Sequence, residues 1–443
     1  MTIITGPQPN QSPRTNTTNY WHPQETNLLN LHKAMEYNSL GQPVIRTTSG
    51  AAPTSNDAFG RLRVSNPLTL FDSFYRYNDN EKFNNAVSAN ATITSSNVSA
   101  MTSMTVSTNS GAYAYRETAR VFAYQPGKSL QVMTTFCMAE TKDNLRQRVG
   151  YFDTQNGVYL EQVGSTVTLN IRSNVTGALQ YETVQQSEWN GDPLNGSGVS
   201  TLVLDLTKAQ IFWIDIEWLG VGTVRCGFVI DGQFVTAHQF HHANRISTTY
   251  MTTACLPIRY EIENIDITSS SSTLNQICAT VVSEGGYELY GRPISVGHTL
   301  AAPYSLANPN TLYPVLTLRL KSDRLGAIVL PKNYSVGLSG NNNFRFVLIT
   351  GGVTTGGSWI NAGTNSSVEY NLTANSISGG TITEWRQIIG SNQFAGAGDI
   401  AQPFKYQLER NTFTGTPVEL TICLVTSGNN VNVYAAINWE EIT

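Results

Sequence analysis

Hydrophobic and polar residues alternate with a period of two along most of the chain after about residue 60. The clearest stretch begins at residues 211–219, where every second side chain is apolar, and alternation resumes at residues 224–230 after a Gly-Val-Gly turn. Asp231-Gly232 then predicts a two-residue hairpin into residues 234–240. Because successive side chains of a strand point to opposite faces, this pattern indicates half-buried antiparallel strands.

Comparable strand patterns recur in both halves of the chain. They are SLQVMTTFCMA, QRVGYFDT, GVYLEQVGSTVTLNIRS and PIRYEIENIDI, and later PVLTLRLKS, FRFVLITGG, FKYQLER, VELTICLVT and VNVYAAINWEEI. Regular strands without interleaved helices predict an all-β fold with two jelly-roll-like β-sandwich domains. We place the first domain at residues 61–290 and the second at residues 291–443.

Residues 1–60 lack this alternation and hold too few apolar side chains to fold alone, which predicts an extended N-terminal arm. One short helix is expected at about residues 25–38, where Leu28, Leu31 and Met35 share a face. We expect the arm to become ordered against neighbouring subunits and to serve as the assembly anchor.

Composition narrows the function classes. Only 13% of the 443 residues are charged and the net charge is -4, without a local run of Lys and Arg, so the sequence predicts no nucleic-acid partner. No apolar run approaches the roughly 20 residues that a membrane helix needs. A polar, weakly charged surface is typical of a protein packed among other proteins.

The five cysteines predict neither a disulfide framework nor a metal site, because they are scattered and lack ligand spacing. Cys226 alternates with Val224, Phe228 and Ile230, which predicts a small buried side chain. The N-terminus has no signal-peptide pattern, so we expect synthesis in a reducing cytoplasm.

The stretch FWIDIEWLG poses the question of catalysis. With the later FVIDGQFVTAHQF, its tryptophans and Asp-Gly turn resemble the concanavalin/laminin-G-like jelly roll over about residues 115–270. Laminarinase-type hydrolases of that fold carry Glu-x-Asp-x-Glu on one strand, and the matching positions here are Trp213, Asp215 and Glu217. Since an indole cannot form a glycosyl ester, the resemblance predicts no enzyme at this strand.

The same strand raises the hypothesis of a glycan-binding platform. Trp213 flanked by Asp215 and Glu217, together with Trp189, could stack on a sugar ring and hydrogen-bond its hydroxyls. The alternative, which is the more common fate of a large aromatic side chain, is that Trp213 fills core space.

The other residue patterns that could indicate a functional site have simpler structural interpretations. His238, His241 and His242 could suggest a zinc site, but in a strand His238 and His242 would lie about 13 Å apart and His241 would point to the opposite face. Glu261 and Glu263 share a strand face with Arg259, which predicts a charge ladder. The glycine-rich GGVTTGGSW lacks the Lys-Ser/Thr ending of a phosphate loop. We predict no cofactor and no metal.

A second resemblance covers about residues 45–300. The segments DAFGRLRVSNPLTLFDSFYRYNDNEKF, LHKAMEYNSLGQPVIR and SEGGYELYGRPISVG are similar to virion structural proteins of tailed bacteriophages, especially marine and cyanobacterial phages. The resemblance implies a non-enzymatic capsid- or tail-associated spike, fibre or decoration protein. It also implies location in the virion after synthesis in the host bacterium, with other virion proteins as partners.

We expect a symmetric homo-oligomer, with a trimer favoured, because symmetry multiplies weak contacts. The predicted assembly contacts are Trp21, Leu28, Leu31, Met35, Phe59, Arg61 and Arg63. Attachment to the head, the portal or the tail remains open. The alternatives are a receptor-binding adhesin that recognises host-surface glycan through a β-sandwich and, disfavoured by Trp213, a glycan hydrolase.

Overall fold

The computed structural model describes residues 35–37, 43–45, 66–77, 82–288, 290–388, 395–399 and 406–442. The chain divides into the units Met1–Val64 and Ser65–Thr443. Within the described ranges, nearly all regular structure is antiparallel strand, and the single helical element is the 3-10 turn Gln186–Glu188. The predicted all-β class with two sandwiches is confirmed.

In the first unit, β1 (Met35–Tyr37) pairs with β2 (Pro43–Ile45). The predicted helix over about residues 25–38 is therefore wrong at its C-terminal end, where Met35 begins a strand. The reason is that Met35–Tyr37 makes its backbone hydrogen bonds to a partner strand further along the chain, which local helical periodicity does not reveal. Residues 25–34 lie outside the described residues, as do the predicted assembly contacts Trp21, Leu28, Leu31, Phe59, Arg61 and Arg63.

The first sandwich of the second unit runs from β3 to β17. Its strands are β3 (Leu68–Phe74), β4 (Phe83–Val87), β5 (Ala91–Ser96), β6 (Met101–Val106), β7 (Tyr113–Thr118), β8 (Leu130–Cys137), β9 (Leu145–Phe152), β10 (Gly157–Val163), β11 (Thr166–Ser173), β12 (Gln180–Gln185), β13 (Gln210–Ile216), β14 (Val224–Ile230), β15 (Gln233–Phe240), β16 (Ile258–Asn264) and β17 (Ser272–Ser283). A seven-stranded sheet has the order β12-β11-β10-β9-β16-β7-β4. The facing eight-stranded sheet has the order β15-β14-β13-β8-β17-β6-β5, with β3 paired to β17.

Strand alternation builds the core between these two sheets. Val149 and Ile262 from the seven-stranded sheet, and Val132 and Ile214 from the eight-stranded sheet, are all fully buried in one hydrophobic cluster. Cys226 is also fully buried there, as the sequence predicts. The interior of the sandwich is thus mainly apolar, but it also holds a buried polar pair between the two sheets, in which Arg116 Nε donates to Gln276 Oε1 at 2.7 Å.

The second sandwich runs from β18 to β32. Its strands are β18 (Arg292–Gly297), β19 (Tyr304–Leu306), β20 (Tyr313–Leu320), β21 (Ile328–Leu338), β22 (Phe344–Thr350), β23 (Val353–Thr355), β24 (Ile360–Asn361), β25 (Val368–Asn371), β26 (Ser376–Ser378), β27 (Thr381–Ile388), β28 (Ala395–Asp399), β29 (Arg410–Asn411), β30 (Thr416–Pro417), β31 (Leu420–Thr426) and β32 (Val431–Ile442). A six-stranded sheet (β24-β25-β20-β31-β22-β27) faces a sheet of order β18-β32-β21-β28, in which β19 also pairs with β32. Leu318, Leu348, Val433 and Trp439 join the two sheets in a second buried cluster.

The described part of the segment FKYQLER does not form the predicted strand. Tyr406 lies in a turn, residues 407–409 are irregular and Arg410 begins β29, while residues 404 and 405 lie outside the described residues. The reason is that these residues bond across to other parts of the unit: Leu408 N donates to Val329 O, and Arg410 N donates to Ala119 O in the first sandwich. The apolar residues Tyr406 and Leu408 of this segment pack in the core of the second sandwich.

Candidate functional site

The outer face of the seven-stranded sheet carries a ladder of charged side chains, here called the charged face. On β16, Ile258, Tyr260 and Ile262 point into the core, so Arg259 and Glu261 point outward. The neighbouring strands add Arg148 on β9, Glu161 on β10, and Glu117 on β7, together with Arg146 and Glu263 at the end of the ladder. The sequence predicts the Arg259–Glu261–Glu263 part of this ladder, and cross-strand pairing supplies the rest.

Each carboxylate of the charged face is ion-paired. Arg148 bridges two strands, with Nε 2.5 Å from Glu161 Oε2 and Nη1 2.8 Å from Glu261 Oε2. Arg259 donates through Nε to Glu261 Oε1 at 2.6 Å and through Nη1 to Glu117 Oε2 at 2.7 Å. At the end of the ladder, Arg146 and the Tyr115 hydroxyl both bind Glu263.

Electrostatics keep the centre of this ladder charged. Burial alone would raise the pKa of Glu261, but the guanidinium groups of Arg259 and Arg148 outweigh burial and hold its pKa below the ordinary value. Burial and the hydrogen bond to Glu263 raise the pKa of Tyr115, which therefore stays protonated as a donor. An ionised carboxylate held by two arginines cannot deliver a proton, so Glu261 is unsuited to general-acid catalysis.

Aromatic rings and guanidinium groups extend the charged face toward β11. The Arg172 guanidinium lies 5.1 Å from the ring centre of Tyr159 and 5.4 Å from that of Phe152, within the range of cation–π attraction. Gly150 makes room for this stack, because a Cβ at this position would lie 2.7 Å from the Cβ of Tyr159. Sequence reasoning missed this stack, since its members come from three different strands.

Residues 407–413 of the second sandwich dock onto the edge of the charged face, and we call them the docking segment. Arg410 is 2% exposed; its Nη1 donates to Thr118 O at 2.7 Å and its Nη2 lies 3.1 Å from Glu117 Oε1. Thr412 Oγ1 donates to the same Glu117 oxygen at 2.8 Å. Glu117 thus holds a guanidinium from each sandwich, and the two sandwiches are fastened through a buried ionic hub.

A cleft of ≈ 670 Å³ lies between the sandwiches beside this hub. Its walls include Asp153 and Arg259 from the first sandwich, and Asp323, Arg324 and the partly exposed Phe413 from the second. Threonine and serine hydroxyls and the Gln155 amide complete a lining rich in both donors and acceptors. This volume falls within the range of about 300–1,000 Å³ that is usual for small-molecule sites.

The predicted glycan platform does not form one surface. Trp213 is only 5% exposed and packs edge-on against Phe234, and Trp189 lies in the apolar core against Phe228 on the other side of the sheet. Asp215 is buried and bound by Arg225 and Ser129, whereas Glu217 lies beyond the end of β13 and is exposed. The Trp213 indole therefore has a packing role. Gly227 on the neighbouring strand leaves space for it, since a Cβ on Gly227 would lie 2.8 Å from Trp213 Cζ2.

The three histidines are also separated. His238 is buried and accepts a hydrogen bond from Asn190 N, and His241 is exposed. His242 stacks on Tyr250, with ring centres 4.0 Å apart, and its Nε2 lies 3.3 Å from Glu182 Oε2. Across the ranges that the structure describes, no cluster of His, Cys, Asp or Glu is arranged to hold a metal ion. In the same ranges, no helix has the length and apolar character needed to span a membrane.

Comparisons with known proteins show likeness only at the level of structure. No family model matches the chain, and no curated protein matches it. Among solved structures, a peanut lectin in complex with a peptide shares 12% identity, covering 49% of this chain and 98% of the lectin, with a TM-score of 0.30. The κ-carrageenase from Pseudoalteromonas carrageenovora shares 9% identity over 54% of this chain and 99% of the enzyme, with a TM-score of 0.30. A legume lectin-like domain from Entamoeba histolytica shares 8% identity over 49% and 97% of the respective chains, with a TM-score of 0.29.

By their descriptions these neighbours are a lectin, a carrageenase and a lectin-like domain, so their functions differ from one another. At such identities and TM-scores they carry no argument about what this chain binds or assembles with.

Proposed function

We propose that this chain is a non-enzymatic structural component of a bacteriophage virion, assembled as a symmetric oligomer through its N-terminal arm. The observation that carries the proposal is the paired charged face with its ionic hub at Glu117. Its carboxylates are committed to arginines, and the hub fastens the two sandwiches together. Carboxylates held in this way are unsuited to proton transfer, and the pairs at Glu117 hold the two sandwiches together, which suits a structural protein of a particle.

The resemblance of residues 45–300 to tailed-phage virion proteins supports the proposal that the chain belongs to a phage particle. The polar composition of the N-terminal arm supports the proposal that the chain assembles through this arm. The division of the chain between Val64 and Ser65 marks where the arm would join the body. Attachment through the arm leaves the sandwiches to form the exposed or packed body of the virion protein.

The test is incorporation into particles. Phage particles grown with epitope-tagged full-length chain are imaged after antibody labelling, beside particles grown with a tagged chain that lacks residues 1–64. We expect label at a symmetric set of positions with the full chain and none with the truncated chain. Equal incorporation of the truncated chain would refute the role of the arm, and complete absence of label from particles would refute the virion assignment.

A second function, recognition of host-surface glycan, is favoured by one observation. The cleft between the sandwiches combines hydroxyl, amide, carboxylate and guanidinium groups with the ring of Phe413. An exposed virion protein with such a cleft would act as a receptor-binding adhesin. Release of reducing ends from an oligosaccharide by the purified chain would contradict both functions in favour of a hydrolase.

A further inference from the structure

The cleft between the sandwiches has unused hydrogen-bonding capacity. Arg410 Nε is buried and has no hydrogen-bond partner among the described residues, whereas Nη1 donates to Thr118 O and Nη2 to Glu117 Oε1. Burial lowers the pKa of Arg410 against the raising effect of Glu117. Because the Nε–H of Arg410 is not exposed, hydrogen bonds to a ligand must come from the partly or fully exposed polar groups of the lining.

Acceptors line the same cleft. Asp153 uses Oδ1 to accept the backbone N–H groups of Gln155 and Asn156, both at 2.7 Å, and no ion pair to it occurs within the described ranges. Asp323 is exposed and makes no hydrogen bond or ion pair with any described residue. Both carboxylates can therefore accept hydrogen bonds from a ligand.

Charge decides what kind of ligand fits. The cleft is lined by three carboxylates (Glu117, Asp153 and Asp323) and by three guanidinium groups (Arg259, Arg324 and Arg410), so its formal charge is zero. Neither an anion nor a cation gains net attraction from such a lining. A neutral molecule that both donates and accepts hydrogen bonds at many points gains from both sets.

Phe413 adds a surface for an apolar ring face. Its ring is partly exposed and lies 5.1 Å from the guanidinium carbon of Arg259, which holds it in place. Aromatic faces stack on the C–H side of a sugar ring, while the surrounding hydroxyl and charged groups satisfy the sugar's hydroxyls. The combination is that of a saccharide site with few, fixed polar groups.

We propose that the cleft between the two sandwiches binds an uncharged saccharide unit, with Phe413 stacking on the ring and Asp323, Asp153 and Arg324 binding its hydroxyls. This inference rests on the second function proposed above and gives it a location and a ligand class. The site lies between the domains, away from the strand that contains Trp213.

The full-length chain is tested on a printed array of oligosaccharides. The array carries neutral glucose, galactose, mannose and N-acetylglucosamine oligomers beside uronate-bearing, sulfated and amine-bearing ones. We expect binding to at least one neutral oligomer, and isothermal titration with that oligomer then compares variants. Asp323→Asn and Phe413→Ala should each weaken binding about tenfold, the loss that one charge-assisted hydrogen bond or one stacked ring would cause.

Asp143→Asn, which changes another exposed aspartate outside the cleft, is the matched control and should leave binding unchanged. Because Asp323 makes no hydrogen bond or ion pair with any described residue, we expect Asp323→Asn to stay folded, which the circular dichroism spectrum of the variant checks. Binding that survives both cleft substitutions would overturn the location while leaving glycan recognition standing. Preference for charged oligomers, or no binding at all, would overturn the ligand class, and particle incorporation would still test the virion role separately.

Discussion

Replacing Glu117 with glutamine tests the ionic hub directly. The substitution keeps the side-chain shape but removes the charge that Arg259 Nη1 approaches at 2.7 Å and Arg410 Nη2 at 3.1 Å. Arg259 retains Glu261 as a partner, whereas Arg410 has no other ion pair among the described residues. The variant therefore leaves a buried guanidinium uncompensated at the junction of the two sandwiches.

The expected loss is large. Removing one partner of a buried ion pair typically costs about 3–5 kcal/mol, because the remaining charge stays desolvated. Glu117 is 1% exposed and also accepts from Thr412 Oγ1, so water cannot easily replace it. We expect the free energy of unfolding to fall by about 3–5 kcal/mol, and the sandwiches to unfold in separate steps.

Urea denaturation followed by tryptophan fluorescence, together with differential scanning calorimetry, measures both effects. Asp72→Asn is the control. The ion pair between Asp72 Oδ2 and Lys82 Nζ is 3.8 Å long and the Asp72 side chain is 64% exposed, so this variant should lose less than about 1 kcal/mol of unfolding free energy. A Glu117→Gln variant that is as stable as Asp72→Asn and unfolds in one step would refute the hub as the fastening of the two sandwiches.

Three further predictions concern packing and protonation. Trp213→Ala should lower the free energy of unfolding in urea by about 3–5 kcal/mol because the indole is buried, without changing glycan binding; a loss of binding in folded protein would restore the platform hypothesis. The pKa of Glu261 is held below its ordinary value of 4.5, so the stability that its charge contributes is complete above that pH and is lost as the pH falls through the lower folded pKa. Urea denaturation midpoints measured from pH 6 to pH 3, values chosen to bracket about 4.5, should therefore fall less steeply in Glu261→Gln than in the parent chain. Equal slopes in the two proteins would contradict the assignment. Burial raises the pKa of Cys423 to about 12, so its thiol should resist a thiol-reactive disulfide reagent at neutral pH until denaturant is added, and peptide mapping that finds rapid native labelling at Cys423 would count against its burial.

Period-two alternation correctly predicted the strands that the quoted patterns cover, other than FKYQLER, because each sandwich buries one face of each sheet. The hairpin at Asp231-Gly232 and the buried Cys226 follow from the same local pattern. Alternation wrongly predicted a strand within FKYQLER. The backbone of its described residues bonds to Val329 and Ala119, which are distant in sequence, and local alternation does not reveal such partners. The helix expected at residues 25–38 failed at Met35 for the same reason.

The candidate site shows a similar division. Arg259, Glu261 and Glu263 are recognisable as one strand face, but their partners Arg148 and Glu117 come from strands whose register only the folded sheet defines. The cleft draws its lining from both sandwiches, so no single stretch of sequence contains it. Trp213 attracted a functional interpretation because its strand resembles a catalytic one, and the space opposite Gly227 explains why an indole is there.

The mass of the assembled protein in solution tests the central claim most directly. Light scattering after size-exclusion chromatography compares the full chain with a chain of residues 65–443 at equal concentration. The account predicts a trimer or larger ring for the full chain, and a monomer with unchanged urea stability for the shorter one. A monomeric full chain, or an identical oligomer without the arm, would contradict it.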